Sequence, residues 1–344
     1  MKLEQLKQID PSIALIDGDP DSFEIVGISH SDAPQKNTFV FLKNKRFLNS
    51  LGAKLSSKEF PTAGLLIELV YWGELSDEIK DNLKVSFTWI ATIQSVDEGM
   101  CLLSKPFHQK LFDDLNYFID GRQMNEVSID PSAQIAQGVF IGEGAIIGAD
   151  VTIMAGAVIM PKVTIGDNST VFPNVTIYPY TAIGKRVRVH AGTVIGTDGF
   201  GYNFFGGKHQ KIWHLAGVQI KDDVEIGCNT MIDAGAFTPT HIGAGSKIDN
   251  DVQISHNVYI HEHVIVCGTT GIAGSVEINN YCAFGAGAGV GPGAKLEQGA
   301  QIAARAVVSA NTIVKSGTTM AGHPARPLNE WMRSQATLRR LSKK

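Results

Sequence analysis

Only four cysteines occur in the 344 residues, Cys101, Cys228, Cys267 and Cys282, and no two stand in a CxxC pair. That spacing offers neither a zinc ribbon nor a disulfide framework, so a reducing compartment is expected. Positive charge is not in excess either: 30 Lys and Arg against 34 Asp and Glu leave a formal net charge of −4, which argues against a general nucleic-acid binder. No apolar run is long enough to cross a bilayer, and the opening MKLEQLKQIDPSIALIDGD lacks the basic-then-apolar pattern of a signal peptide. These absences predict a cytoplasmic protein with no transmembrane segment and no nucleic-acid partner.

What the chain has instead is a period of six. An apolar residue recurs at every sixth position from Ile135 to Ile195, again at Ile220, Ile226 and Ile232, and then from Ile242 to Met320. Six is neither the helical 3.6 nor the strand's 2, and it is the spacing of a parallel β-helix. Four residues after these positions stand small or β-branched side chains such as Ala145, Val151, Ala157 and Val163, suited to a narrow inward corner. Pro161, Pro173, Pro179 and Pro292 each fall two residues after an aliphatic position, where the chain must bend. Three hexads make one triangular coil, and stacked coils bury a continuous aliphatic column.

Flanking segments do not share the period. Residues 1–105 read as a small α/β domain, with strand-like runs over Asn37–Leu42, Ala63–Tyr71 and Val85–Ile93 and a helix-like Phe47–Leu55. A linking helix is expected over Phe107–Ile119 within a 106–128 linker, the prism over 129–322, and a basic helix over 323–344. That last stretch carries Arg326, Arg333, Arg339, Arg340, Lys343 and Lys344 against Glu330 alone, and suits either a packing helix or the docking of an acidic partner. The repeat breaks at Thr197–Val218, a long aromatic excursion that is either a covering flap or functional, and more briefly at Asp233–His241.

Chemistry is concentrated near the second break. His256 lies two residues after Ile254, so its side chain belongs at an outer corner with no packing duty. One coil on, one strand spacing or ~4.8 Å away, the stacked residue is Gly274. A glycine there leaves a notch exposing a backbone N–H beside the imidazole: a base for the nucleophile and a donor for an oxyanion, the requirements of acyl transfer. Imidazole suits the first task because its ordinary pKa leaves a neutral acceptor near pH 7. Asn250 holds the same hexad position on the preceding face and could orient substrate. The competing reading is a zinc site of the β-helix carbonic-anhydrase kind, because His256, His261, His263 and His241 cluster in sequence. A third ligand from an earlier coil would fall at Ile220 or Ala216, which cannot bind metal, so no metal is expected.

With these residues in view, the chain resembles the UDP-3-O-acylglucosamine N-acyltransferases, hexapeptide-repeat enzymes of lipid A biosynthesis, over nearly its whole length. The resemblance rests on IDPSAQIA (Ile129–Ala136), DGFGY (Asp198–Tyr202) with Lys211 and Ile212, DVEIGCNTMID (Asp223–Asp233), KIDNDVQISHNV (Lys247–Val258), GIAGS (Gly271–Ser275) and GHPARPLNEW (Gly322–Trp331). It implies a mainly β fold: a left-handed parallel β-helix with a small N-terminal α/β domain and a C-terminal helix. It implies catalytic roles for His256 as general base, Gly274 as oxyanion donor and Asn250, with Gln253 facing substrate. In FLKNKRF (Phe41–Phe47) it implies that Phe41 and Phe47 sandwich a uracil whose edge Asn44 reads.

The implied reaction moves a 3-hydroxyacyl chain from acyl carrier protein to the 2-amino group of a UDP-3-O-acyl-glucosamine, in a homotrimer. No cofactor is implied beyond the phosphopantetheine that arrives on the carrier protein. The chain departs from the family pattern at three places. It has no second active-site histidine near Gly293, it has Ala234 where the family has arginine, and VSFTWIA (Val85–Ala91) replaces the usual Asn-Pro-Tyr stretch. A divergent acyltransferase acting on another UDP-amino sugar is the alternative that these departures leave open.

Overall fold

The computed structural model describes residues 1–55, 60–322 and 327–342. From residue 128 onward the hexads form short strands, two residues long except beside the insertions, each followed by a corner, and the strands stack into three parallel sheets of 10, 9 and 10 strands. The repeat of one coil is visible in the pairing, Thr152 with Thr170 and Ile153 with Val171. Both inward registers read from the sequence are buried: Ile159, Ile177, Ile195 and Ile254 are fully enclosed, and so are Ala145, Ala157 and Val163. Each enclosed isoleucine contributes about 2–3 kcal/mol of burial, so the column is the principal support of the prism. Many corners pass through left-handed backbone, with φ of 59° at both Asn174 and Asn257. Asparagine tolerates that region better than most residues.

Both breaks in the period are insertions that leave the pairing intact. Ile183 pairs with Ile220 and Ile220 with Ile242, so the coils on either side close over the extra residues. Both insertions leave from the same edge of the prism, between the nine-stranded sheet (Val194–Thr197, Met231–Asp233, Gln253–Ile254, Gly271–Ile272, Gly289–Val290) and the next ten-stranded one (Val218–Ile220, Thr240–Ile242, Tyr259–Ile260, Glu277–Ile278). This edge is called the insertion corner below. The longer insertion folds as a hairpin, Tyr202–Phe205 antiparallel to Lys208–Lys211.

The N-terminal segment forms a five-stranded sheet with order β1-β5-β4-β3-β2, where β1 is Ala14–Gly18, β2 Gly27–Ser29, β3 Thr38–Leu42, β4 Ala63–Glu68 and β5 Trp89–Ile93. Only β1 runs antiparallel to its neighbour. Helices α1 (Leu3–Ile9), α2 (Lys45–Leu55), α3 (Leu69–Glu74), α4 (Asp77–Ser86) and α5 (Val96–Phe112) surround it. Two apolar runs read as single strands are divided: Ala63–Tyr71 turns into α3 after Glu68, and Val85 lies in the last turn of α4, which Ser76 caps by accepting from the Ile79 amide. The helix expected over Phe107–Ile119 begins earlier, because Ser95 caps Val96–Phe112 through the Glu98 amide, and it stops at Phe112. A single turn, α6 (Gly121–Met124), precedes the first coil.

The N-terminal unit lies along the insertion corner. Tyr180 donates to the Leu111 carbonyl (2.6 Å), the Trp213 amide to Ser104 Oγ (3.0 Å) and Asn203 to the Asp97 carbonyl (2.8 Å). Phe237, from the shorter insertion, is buried in the N-terminal core with its ring 6.2 Å from Phe41. The aromatic excursion is therefore the joint between two units and not a loose cover. After the last coil comes α7 (Leu328–Leu341), which buries no residue. Arg326, Lys343, Lys344 and the His323–Arg326 part of the exit segment lie outside the described residues.

Candidate active site

His256 stands half-buried on the insertion corner, outside the aliphatic column. Three sides of its ring are closed by atoms that leave no space for larger residues. A Cβ on Gly199 of the DGFGY loop would fall 2.6 Å from His256 Cβ, and one on Gly274 would fall 2.8 Å from Cε1 and 2.9 Å from Nε2. The third wall is His214, packed edge-on with ring centroids 5.3 Å apart at 74°. The glycines at 199 and 274 are thus required by the imidazole itself.

The tautomer of His256 follows from Asn257. Asn257 Nδ2 donates to the Thr238 carbonyl at 3.0 Å, so its Oδ1 is an acceptor, and it receives the Ala236 amide at 3.0 Å. That same oxygen lies 3.1 Å from His256 Nδ1, which must carry the proton. The lone pair is left on Nε2, against Gly274. Among the described residues the Gly274 N–H donates to no acceptor, although its neighbours Ala273 and Ser275 donate to the Val290 and His256 carbonyls. An acceptor nitrogen and a free backbone donor therefore sit side by side, the pair that addition to a carbonyl needs.

Two titratable groups border the pair that the period does not reveal. Asp233 lies below it on the nine-stranded sheet and accepts from Gln253 Nε2 at 3.3 Å. Burial raises its pKa above the ordinary carboxylate value, partly offset by Gln253 and by the positive charge that His256 can carry. His214 is enclosed, its Nδ1 directed at the Ile212 carbonyl (3.1 Å), and among the described residues its Nε2 meets no hydrogen-bond partner. Burial, and next the neighbouring His256, lower its pKa to about 4, so it remains a neutral wall near pH 7. Asp198 and Lys211 form an ion pair at the base of the hairpin, which accounts for both motif residues structurally.

Other residues singled out in the sequence lie elsewhere. Asn250 is exposed on the preceding corner, one face away from His256, and its Oδ1 accepts the Cys228 amide at 2.7 Å. The structure does not bring it to the base within one chain. Phe41 and Phe47 do not form a sandwich. Strand alternation sends Phe41 with Phe39 into the core beneath α5, leaving Phe41 2% exposed, while Phe47 packs with Val40 and Leu42 on the opposite side. Asn44 is exposed and caps α2 by accepting the Arg46 amide at 3.0 Å.

The clustered histidines do not converge on His256, although His241 and His261 both pack on Tyr259 and line one shallow cavity. His241 stacks on Tyr259, His261 faces Glu277 from the following corner, and His263 stacks on Tyr281. Among the described residues no three His, Cys, Asp or Glu side chains come together as a metal site. No described helix is long and apolar enough to cross a membrane.

Comparison with known proteins agrees with the sequence motifs. The bacterial transferase hexapeptide (six repeats) family matches at residues 144–177 and 162–197. UDP-3-O-acylglucosamine N-acyltransferase of Methylobacterium sp. (strain 4-46) is 41% identical over 159 residues, 46% of this chain and 45% of that one. The protein of the same name from Helicobacter hepaticus is 44% identical over 156 residues, 45% of this chain and 47% of that one. Among solved structures, UDP-N-acetylglucosamine acyltransferase from Campylobacter jejuni has a TM-score of 0.46 at 25% identity, covering 63% of this chain and 82% of that one. The chain spans about half the length of the curated relatives it matches. It is a parallel β-helix protein of hexapeptide repeats, similar over that half to the UDP-3-O-acylglucosamine N-acyltransferases.

Proposed function

We propose that the chain is an N-acyltransferase that moves a 3-hydroxyacyl group from acyl carrier protein to the 2-amino group of a UDP-3-O-acyl-glucosamine, a step of lipid A biosynthesis. The observation that carries the reading is the Nε2 acceptor of His256 beside the Gly274 N–H, which among the described residues donates to no acceptor. The names of the relatives supply the substrate class.

In this reading the amine nitrogen attacks the thioester carbon while His256 Nε2 takes one of its protons. Oxygen becomes anionic and is held by the Gly274 N–H. Collapse restores the carbonyl, breaks the carbon–sulfur bond, and returns the proton from the imidazolium to the departing phosphopantetheine thiolate. No metal or resident cofactor takes part. Gln253, hydrogen-bonded to Asp233, borders the acceptor sugar. Asn250, a face away within the chain, would reach the site of a neighbouring subunit in a homotrimer, and the exposed α7 with Arg333, Arg339 and Arg340 would meet the acidic carrier protein. The surroundings of such chemistry are cytoplasmic. At the nucleotide end, Asn44 and Phe47 at the carboxyl end of β3 remain the proposed uracil contacts, with Phe41 as support from within the core.

The direct test is transfer of a labelled 3-hydroxyacyl chain from carrier protein to the UDP-amino sugar. His256→Ala should abolish it while circular dichroism shows an unchanged β-helix; turnover retained in that variant removes the base and the mechanism with it.

A further inference from the structure

The N-terminal unit delivers one cation to the insertion corner. Arg46, in the first turn of α2, lies over Gly293: a Cβ at 293 would fall 2.6 Å from Nη2 and 3.0 Å from Nη1. Gly293 has φ +66°, so both its backbone conformation and the guanidinium above it require glycine. Arg46 Nη1 donates to Asn311 Oδ1 at 2.8 Å, and Asn311 is one coil above Gly293, whose amide bonds to the Gly274 carbonyl. A permanently charged, exposed guanidinium is thus held in place by a neutral amide, and among the described residues no carboxylate pairs with it.

We propose that Arg46 is a phosphate-binding residue of this site and holds the diphosphate of the nucleotide-sugar substrate. The inference rests on the nucleotide-sugar reading above and deepens it. Arg46 and His256 share one corner two rungs apart, roughly 10 Å at ~4.8 Å per rung. Four bonds separate a 2-amino nitrogen from the nearer phosphorus of a UDP-sugar, about 4–5 Å, and a hydrogen-bond contact of about 3 Å at each end fills the remainder. The guanidinium fork matches two phosphate oxygens, and the flanking Asn44 and Phe47 belong to the segment proposed for the base. Asn44 already satisfies the Arg46 backbone amide, so the side chain and not the helix end supplies the recognition.

Calorimetric titration of the full chain with UDP, uridine and coenzyme A tests this, using wild type, Arg46→Met, Arg46→Lys and Asn311→Ala. Arg46→Met should weaken UDP about 10- to 100-fold, the range of one or two charge-assisted hydrogen bonds, and leave uridine within about 2-fold. Arg46→Lys should recover part of the loss. Asn311→Ala, which removes the bond that steadies the guanidinium but leaves the charge, should cost UDP affinity clearly less than Arg46→Met. Equal losses in the methionine and alanine variants, or parallel losses of uridine and UDP, would make Arg46 a structural tether and overturn the proposal. A loss confined to coenzyme A would assign the phosphate to the acyl donor and overturn the nucleotide assignment. A wild-type chain that binds no UDP defeats the nucleotide-sugar reading as well, an outcome distinct from failure at Arg46 alone.

Discussion

At the scale of single residues, the candidate site depends on what is missing from side chains as much as on what they carry. Gly274→Ala would set a methyl 2.8 Å from His256 Cε1. Either the ring turns out of place or the backbone donor withdraws. The turnover number should fall about 100-fold or more with the fold intact, as for loss of an oxyanion donor, and steady-state N-acylation alongside circular dichroism checks it. Asn257→Gly keeps the left-handed corner but removes the oxygen that fixes the imidazole tautomer. The expected result is a turnover loss of about 10- to 100-fold, typical of general-base catalysis impaired but not removed, with KM for the sugar nucleotide little changed.

His214 gives a pH prediction. Its pKa in the folded chain, about 4, lies below the ordinary 6.5, so between those values the unfolded chain binds a proton that the folded one refuses. Its contribution to stability is therefore complete above pH 6.5 and is lost progressively as the pH falls toward 4. Thermal melts of wild type and His214→Phe should show a smaller drop from pH 7 to pH 5 in the variant; identical drops would mean that the enclosed imidazole is not the source.

At the scale of the element, the coil is the unit of both stability and legibility. Ile254→Ala opens a cavity in the fully enclosed column and should cost about 2–5 kcal/mol in denaturant unfolding. The period alone gave the coil, its inward registers and the neighbours across it, which is why the meeting of His256 and Gly274 could be counted from spacing. Insertions obey no such count. His214 and Phe237 reach their places through irregular segments whose path depends on contacts with a different unit, and Asp233 stands where one of them begins. The arrangement of FLKNKRF was hidden for a related reason: the segment crosses from strand to helix, so Phe41 follows strand alternation into one core while Phe47, carried by α2, packs against the other, which matching residue types does not reveal.

At the scale of the whole molecule, the surfaces that remain open set the expectations. The described part of α7 presents Trp331, Leu338 and Leu341 together with Arg333, Arg339 and Arg340, and covers none of them against the prism. If the acyl donor arrives on an acidic carrier protein, reversing those three arginines to glutamate should raise the KM for that donor at least about tenfold while leaving a soluble pantetheine thioester unaffected, measured by steady-state kinetics at low ionic strength. Equal effects on both donors would place the helix outside donor recognition. The docking of the N-terminal unit was not readable in the sequence at all, because a repeat determines what stacks upon itself and says nothing about what leans against its side.

That sideways docking has a consequence for how such a chain could change over evolutionary time. Arg46 meets the later coils at Gly293 and Asn311 while the rest of its unit is tied to coils before His256, so a complete coil gained or lost between them would shift the Arg46 anchor by a whole step of ~4.8 Å and break that contact. A substrate slightly longer or shorter than the present one could not be met by gradual stretching. It would call for a new side chain at either end.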